Sequence, residues 1–176
     1  MEHTISLLDQ VNQAFSTAVE LACGSDYTHM FNRDCGVKVA KNFKKYGDLQ
    51  STCSQRIYNF HLAEKHRNGD TSEGMQVTTV SEYGFVRKKY YDSARALGLE
   101  IIECLPENIM ANIVADVVID PRDLSNTIRI TTAPHFQWHL KHDRHPCTFC
   151  GRFCQGSLGL RTHQVIVRIV IDVASG

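Results

Sequence analysis

An excess of charge of either sign is missing from this sequence: nineteen lysines and arginines face nineteen aspartates and glutamates over 176 residues. The chain as a whole therefore carries no electrostatic mandate to bind nucleic acid, a membrane surface or an acidic substrate. Any such binding has to come from a local patch. No apolar run approaches the length that spans a bilayer. The opening Met-Glu-His-Thr lacks the positive start of a secretory signal, and the apolar positions behind it are interrupted. An even, dense set of cysteines is also absent. There are seven, with Cys23, Cys35, Cys53 and Cys104 dispersed and three clustered near the C-terminus, which is no disulfide framework. These absences predict a reducing compartment, cytoplasm or nucleus, with free thiols except where a metal holds them. Walker lysine loop, G-x-G-x-x-G and G-x-S-x-G are all missing, so no phosphate cradle or nucleophile elbow names a reaction. There is no internal repeat and no low-complexity tract.

What remains is a chain of ordinary apolar content, long enough to bury a core without staples. Ile5, Leu8, Val11, Phe15, Ala18, Val19 and Ala22 recur at three- and four-residue spacing, which predicts a helix ending near Gly24. Its apolar face suits core packing or a homo-oligomer or partner seam. Its polar face has no lysine, so it does not suit a membrane surface. A loop is expected over 25–36. "VKVAKNFKKYG" then places Lys38, Lys41 and Lys45 on one helical face, and a third helical stretch over 50–66 sets Cys53, Ile57 and Phe60 on one side. The polar "RNGDTSEG" at 67–74 reads as a boundary or loop.

Beyond it the pattern turns β-branched. "MQVTTV" at 75–80 reads as a strand. Ser81 is placed to cap a helix through about Leu97, closed by Gly98, with "LEIIECL" at 99–105 as the next strand. "ANIVADVVID" (111–120) suits a strand or a buried turn leading into one. "NTIRITTA" (126–133) alternates as a strand does, and "QVIVRIVIDVA" (164–174) reads as a buried C-terminal strand. The expectation is an α+β fold: a helical segment over 1–70, then an α/β segment over 71–176, in one compact unit.

The C-terminal cluster carries the chemistry. Cys147 and Cys150 form C-x2-C followed by Gly151, and two thiolates at that spacing can share one zinc across a tight turn. Ser157 can cap a short helix bearing Leu158, Leu160 and His163. Over 147–163 the chain resembles a two-cysteine two-histidine zinc finger, C-x2-C-x12-H, with Leu160 at the finger's leucine position. The wording is similar to fingers of nucleic-acid-handling and mobile-element proteins. It departs from that pattern where the second histidine would fall, at Val167 or Arg168. The fourth ligand is then Cys154, giving a three-cysteine one-histidine site, or His145 or His142 from just before the cluster. A more distant source is His135, His139, His61 or His66. His135, His139 and His142 would share one helical face, which suits a metal or a polar stripe. Water in an open fourth position would make a zinc-dependent hydrolase, but no glutamate stands beside the motif to act as its base.

Two basic clusters can meet phosphate. The first is Lys38, Lys41 and Lys45, with Lys44 beside them. The second is Arg87, Lys88 and Lys89 with Tyr90, Tyr91 and Arg95, expected on the helix after "VTTV". Arg152 and Arg161 sit on the finger-like segment. One finger reads few bases, so binding to RNA or DNA without sequence specificity is expected rather than operator reading. A small zinc-containing nucleic-acid-binding accessory factor, of the kind viruses and mobile elements encode, is the reading these residues suggest. A protein-interaction or assembly module with purely structural zinc is the alternative that the neutral net charge suggests. A Cys–His dyad from Cys35 or Cys53 would make a thiol enzyme.

Overall fold

The structure, a computed structural model, describes residues 6–42, 47–81 and 83–134. Helix α1 (Leu7–Cys23) starts where Ser6 Oγ accepts from the Asp9 backbone N–H at 3.1 Å. That N-cap supplies an acceptor to a first-turn donor that has no helical partner. Val11, Phe15, Ala18, Val19 and Ala22 are buried, as the spacing predicts; Leu7 and Ala14 join them, Leu8 is only half-buried, and Ile5 lies outside the described residues. The helix ends at Gly24, whose φ of 94° turns the chain away while its N–H still bonds to the Glu20 carbonyl.

The expected loop over 25–36 is instead helix α2 (Ser25–Met30) running into a π-helical turn, Phe31–Cys35. Its polar composition hid it; within the π turn Phe31 and Cys35 face inward. Phe31 stacks on Phe15 with ring centroids 6.4 Å apart. The helix expected for "VKVAKNFKKYG" is also corrected. Val37 donates its N–H to Asn12 Oδ1 at 2.7 Å and accepts from Asn12 Nδ2 at 3.1 Å. A side chain on α1 thus occupies both backbone groups of Val37, and the chain leaves it extended as β1 (Lys38–Val39). β1 pairs antiparallel with β2 (Leu49–Ser51).

Helix α3 (Cys53–Arg67) follows as expected. Cys53 and Ile57 are buried, but Phe60 is 44% exposed. The strand at 75–80 is β3 (Met75–Val80). Ser81 caps no helix. Its N–H bonds to the Phe85 carbonyl at 2.9 Å and its hydroxyl accepts from the Phe85 N–H at 3.0 Å, closing a hairpin loop. β4 (Val86–Tyr91) returns antiparallel in register from Val80↔Val86 to Met75↔Tyr91. The helix starts later, as α4 (Ala94–Glu103), where Ser93 Oγ accepts from the Ala96 N–H. It runs through Gly98 and most of the expected strand at 99–105. A short apolar run fits either state by periodicity, and the cap at Ser93 sets the helical phase. Gly98 is there for approach: a Cβ would meet Ile119 Cδ1 at 2.5 Å and Ser54 at 3.1 Å.

Pro106 leads into α5 (Glu107–Asn112), and β5 (Val114–Ile119) and β6 (Ile128–Thr132) form a second hairpin. The larger sheet runs β1-β2-β6-β5, all antiparallel, so strands from either side of residue 70 share it. Buried Asp48 fixes the register, accepting at Oδ2 from the Thr132 N–H at 2.9 Å and the Thr132 hydroxyl at 3.0 Å. The helices pack around one core with Leu49, Ile57, Met75, Leu97, Ile101, Ile128 and Ile130 at its centre. The fold is α+β. Among the described residues, no helix is long and apolar enough to cross a membrane. The expected strand at 164–174 and the finger-like element at 147–163 lie outside the described residues.

Candidate nucleic-acid interface

The β3–β4 hairpin divides its basic cluster by strand alternation, since successive side chains point to opposite faces. On the inner face Tyr91 is buried, and its hydroxyl donates to the Ala22 carbonyl at 2.6 Å. Lys89 Nζ reaches the Leu21 carbonyl at 3.2 Å and Glu100 Oε1 at 2.5 Å. Both residues therefore bond to the last carbonyls of α1, where a cation is favoured by the helix dipole. They hold the ribbon to the body. On the outer face stand Gln76, Thr78 and Val80 of β3 and Val86, Lys88 and Tyr90 of β4, all exposed. Arg87 points with Lys89 but lies nearer the loop and is exposed.

Large apolar groups crowd the same end. Tyr83 is 78% exposed and Phe85 67%, and Val80 and Val86 are exposed beside them. Exposed aromatics set among Arg87 and Lys88 can meet both the phosphates and the bases of a nucleic acid. The sequence expected Arg87, Lys88 and Lys89 on a helix with Tyr90 and Tyr91. The structure puts them on a strand, which assigns Lys89 and Tyr91 to anchoring. Tyr83 and Phe85 were missed. The signal was Gly84, with φ of 78°, between two β-branched or aromatic runs.

The other expected contacts are placed apart. Lys38 is exposed on β1, opposite Gln50, and Lys41 follows the strand, also exposed, so the two do not share a helical face. Arg95 donates to the carbonyls of Ile119 and Asp120, a tie between α4 and the end of β5. Lys45, Arg152 and Arg161 lie outside the described residues. So do Cys147, Cys150, Cys154 and His163, with His142 and His145. Among the described residues, no group of three or more His, Cys, Asp or Glu is arranged to hold a metal ion.

A second constellation lies between α2 and α3. Tyr27 Oη and His61 Nδ1 are 2.5 Å apart at a cleft of about 370 Å³ that Phe60, Glu64 and Asp70 also line. Burial pushes the Tyr27 phenol up to about 12, helped by the nearby carboxylates of Asp26 and Glu64. Burial, then the Lys65 ammonium, lowers His61. Both shifts favour the neutral forms, and the two side chains are joined by one hydrogen bond. Lys65 also lines the cleft, its ammonium held by Ser72, the Gly74 carbonyl and, at 3.8 Å, the Asp70 carboxylate. Cys35 and Cys53, expected as partners for a histidine, are buried. Burial raises Cys35 to about 12 and Cys53 to about 11, the reverse of an activated thiol. Cys23 and Cys104 are raised by burial as well.

Comparison of the chain with protein-family models, with curated proteins and with solved structures finds no match.

Proposed function

We propose that this chain is a nucleic-acid-binding accessory protein of the cell interior that uses the β3–β4 hairpin as a contact surface. Its 147–163 segment would carry a structural zinc through Cys147, Cys150, His163 and a fourth ligand from Cys154, His145 or His142. The observation that carries the nucleic-acid reading is the exposure of Arg87 and Lys88 among Tyr83, Phe85 and Tyr90 on one ribbon. Its basic groups meet phosphate and its rings meet bases. With a neutral net charge, the affinity rests on this local patch.

The test is a salt titration of binding to oligonucleotides. Each phosphate contact releases counterions, so affinity must fall steeply as salt rises. Replacing both Arg87 and Lys88 with alanine should reduce the slope of log affinity against log salt by about 2, near one per lost contact. Full-length folded protein that binds neither RNA nor DNA at low salt would remove the reading. The protein-interaction reading would then stand, with exposed Val80, Phe85 and Val86 as its surface in place of the apolar face of α1, which is buried in the core.

A further inference from the structure

We infer that the hairpin takes single-stranded rather than duplex nucleic acid, with Tyr90 as a pre-set stacking platform. This rests on the reading of the hairpin as the nucleic-acid interface and narrows it to one ligand class. Tyr90 is exposed yet held by contacts at its hydroxyl end. Its ring lies over Gly74, at the foot of β3, where φ is 78°. A Cβ at Gly74 would run into the ring at Cε2, Cζ and the hydroxyl. The hydroxyl donates to the Glu73 carbonyl at 3.3 Å. The backbone at residue 74 thus packs against the hydroxyl end of the ring, yet Tyr90 stays 61% exposed. With its hydroxyl end held, the exposed ring loses little side-chain freedom when a base settles on it.

Lys88 and the loop end of the ribbon point the same way. Lys88 lies two residues from Tyr90 on the same face, about 7 Å along the strand, within reach of the phosphate next to a stacked base. Nearer the loop, the exposed pair Val80↔Val86 gives way to Phe85 and Tyr83. A ribbon that reads a duplex presents polar side chains to base edges in the major groove. Here the tip offers apolar and aromatic groups, which have no partner on a stacked, paired duplex. Unpaired bases expose the π-faces these groups can cover.

The experiment measures fluorescence anisotropy of the full chain with labelled single-stranded oligonucleotides and with duplexes of the same length, at one low salt concentration. Single strands should bind at least tenfold more tightly than duplexes. Tyr90→Leu should weaken single-strand binding about tenfold and leave duplex binding unchanged, while Tyr90→Phe keeps most of it; stacking on one base has about that worth. Tyr83→Leu with Phe85→Leu, at exposed positions of the tip, should also weaken single-strand binding with duplex binding unchanged, read together with a thermal melt to confirm folding. Equal affinity for single strands and duplexes, with steep salt dependence for both, would overturn this inference and leave the interface itself standing. Loss of all binding at low salt would remove the interface.

Discussion

Lys89 Nζ sits 2.5 Å from Glu100 Oε1 and 3.2 Å from the carbonyl of Leu21, so the last lysine of a basic run is tied to two helices. Its neighbours Arg87 and Lys88 are exposed. The split predicts two classes of variant. Lys89→Met and Tyr91→Phe should each lower stability by about 1 kcal/mol, the usual net worth of such a hydrogen bond. Neither should change the salt slope of nucleic-acid binding. Arg87→Ala and Lys88→Ala should do the opposite. Denaturant melts and binding titrations on the same four proteins check this.

Gly98 stands inside α4, where alanine would ordinarily favour the helix by about 1 kcal/mol. Gly98→Ala should nonetheless destabilise the protein by roughly 1–3 kcal/mol, because the added methyl presses on Ser54 and Ile119 between α3, α4 and β5. An unfolding midpoint equal to or above that of the parent would contradict the close approach.

His61 gives the fold a pH dependence. Burial, then Lys65, holds its pKa below the ordinary value of 6.5. The unfolded chain therefore binds the proton more readily than the folded one. This contribution is fully present above pH 6.5 and is lost as pH falls from there through the lowered folded value. Unfolding midpoints measured from pH 7.5 down to about 5 should fall. His61→Gln should flatten that decline, and an unchanged slope would remove His61 as its source.

Zinc is tested by elemental analysis of purified protein. One equivalent is expected, lost in Cys147→Ser, Cys150→Ser and His163→Ala, with destabilisation of the C-terminal segment, since structural metal affinity is folding energy. Cys154→Ser, His145→Ala and His142→Ala then assign the fourth ligand by which one loses metal. Metal-free protein that a chelator does not destabilise would end the zinc reading.

Much of the fold was legible where local signals were strong. The spacing of Leu8 to Ala22 with Gly24 after it gave α1, β-branched content gave β3 to the residue, and alternation placed β6 inside the expected 126–133. The misses have physical causes. Val37 is held extended by Asn12 of α1, 25 residues away, which no local pattern encodes. Ser81 suits a helix cap and a hairpin loop equally, and only the pairing of Val80 with Val86 selects the loop. Of the candidate interface, the residue types were legible and the geometry was not. Arg87, Lys88 and Lys89 look alike in sequence, and separating anchors from contacts required knowing that they alternate across a strand with one face on α1. The Tyr27–His61 pair joins residues 34 apart and left no trace in either local pattern.

The most direct measurement is the location of the contact. Ultraviolet crosslinking of the full chain to single-stranded oligonucleotides, followed by peptide mapping, reads which aromatic residues touch bases. Crosslinks at Tyr83, Phe85 or Tyr90, with none at buried Tyr91, are the result this account predicts. Crosslinks confined to other segments, with 75–91 untouched, would contradict it.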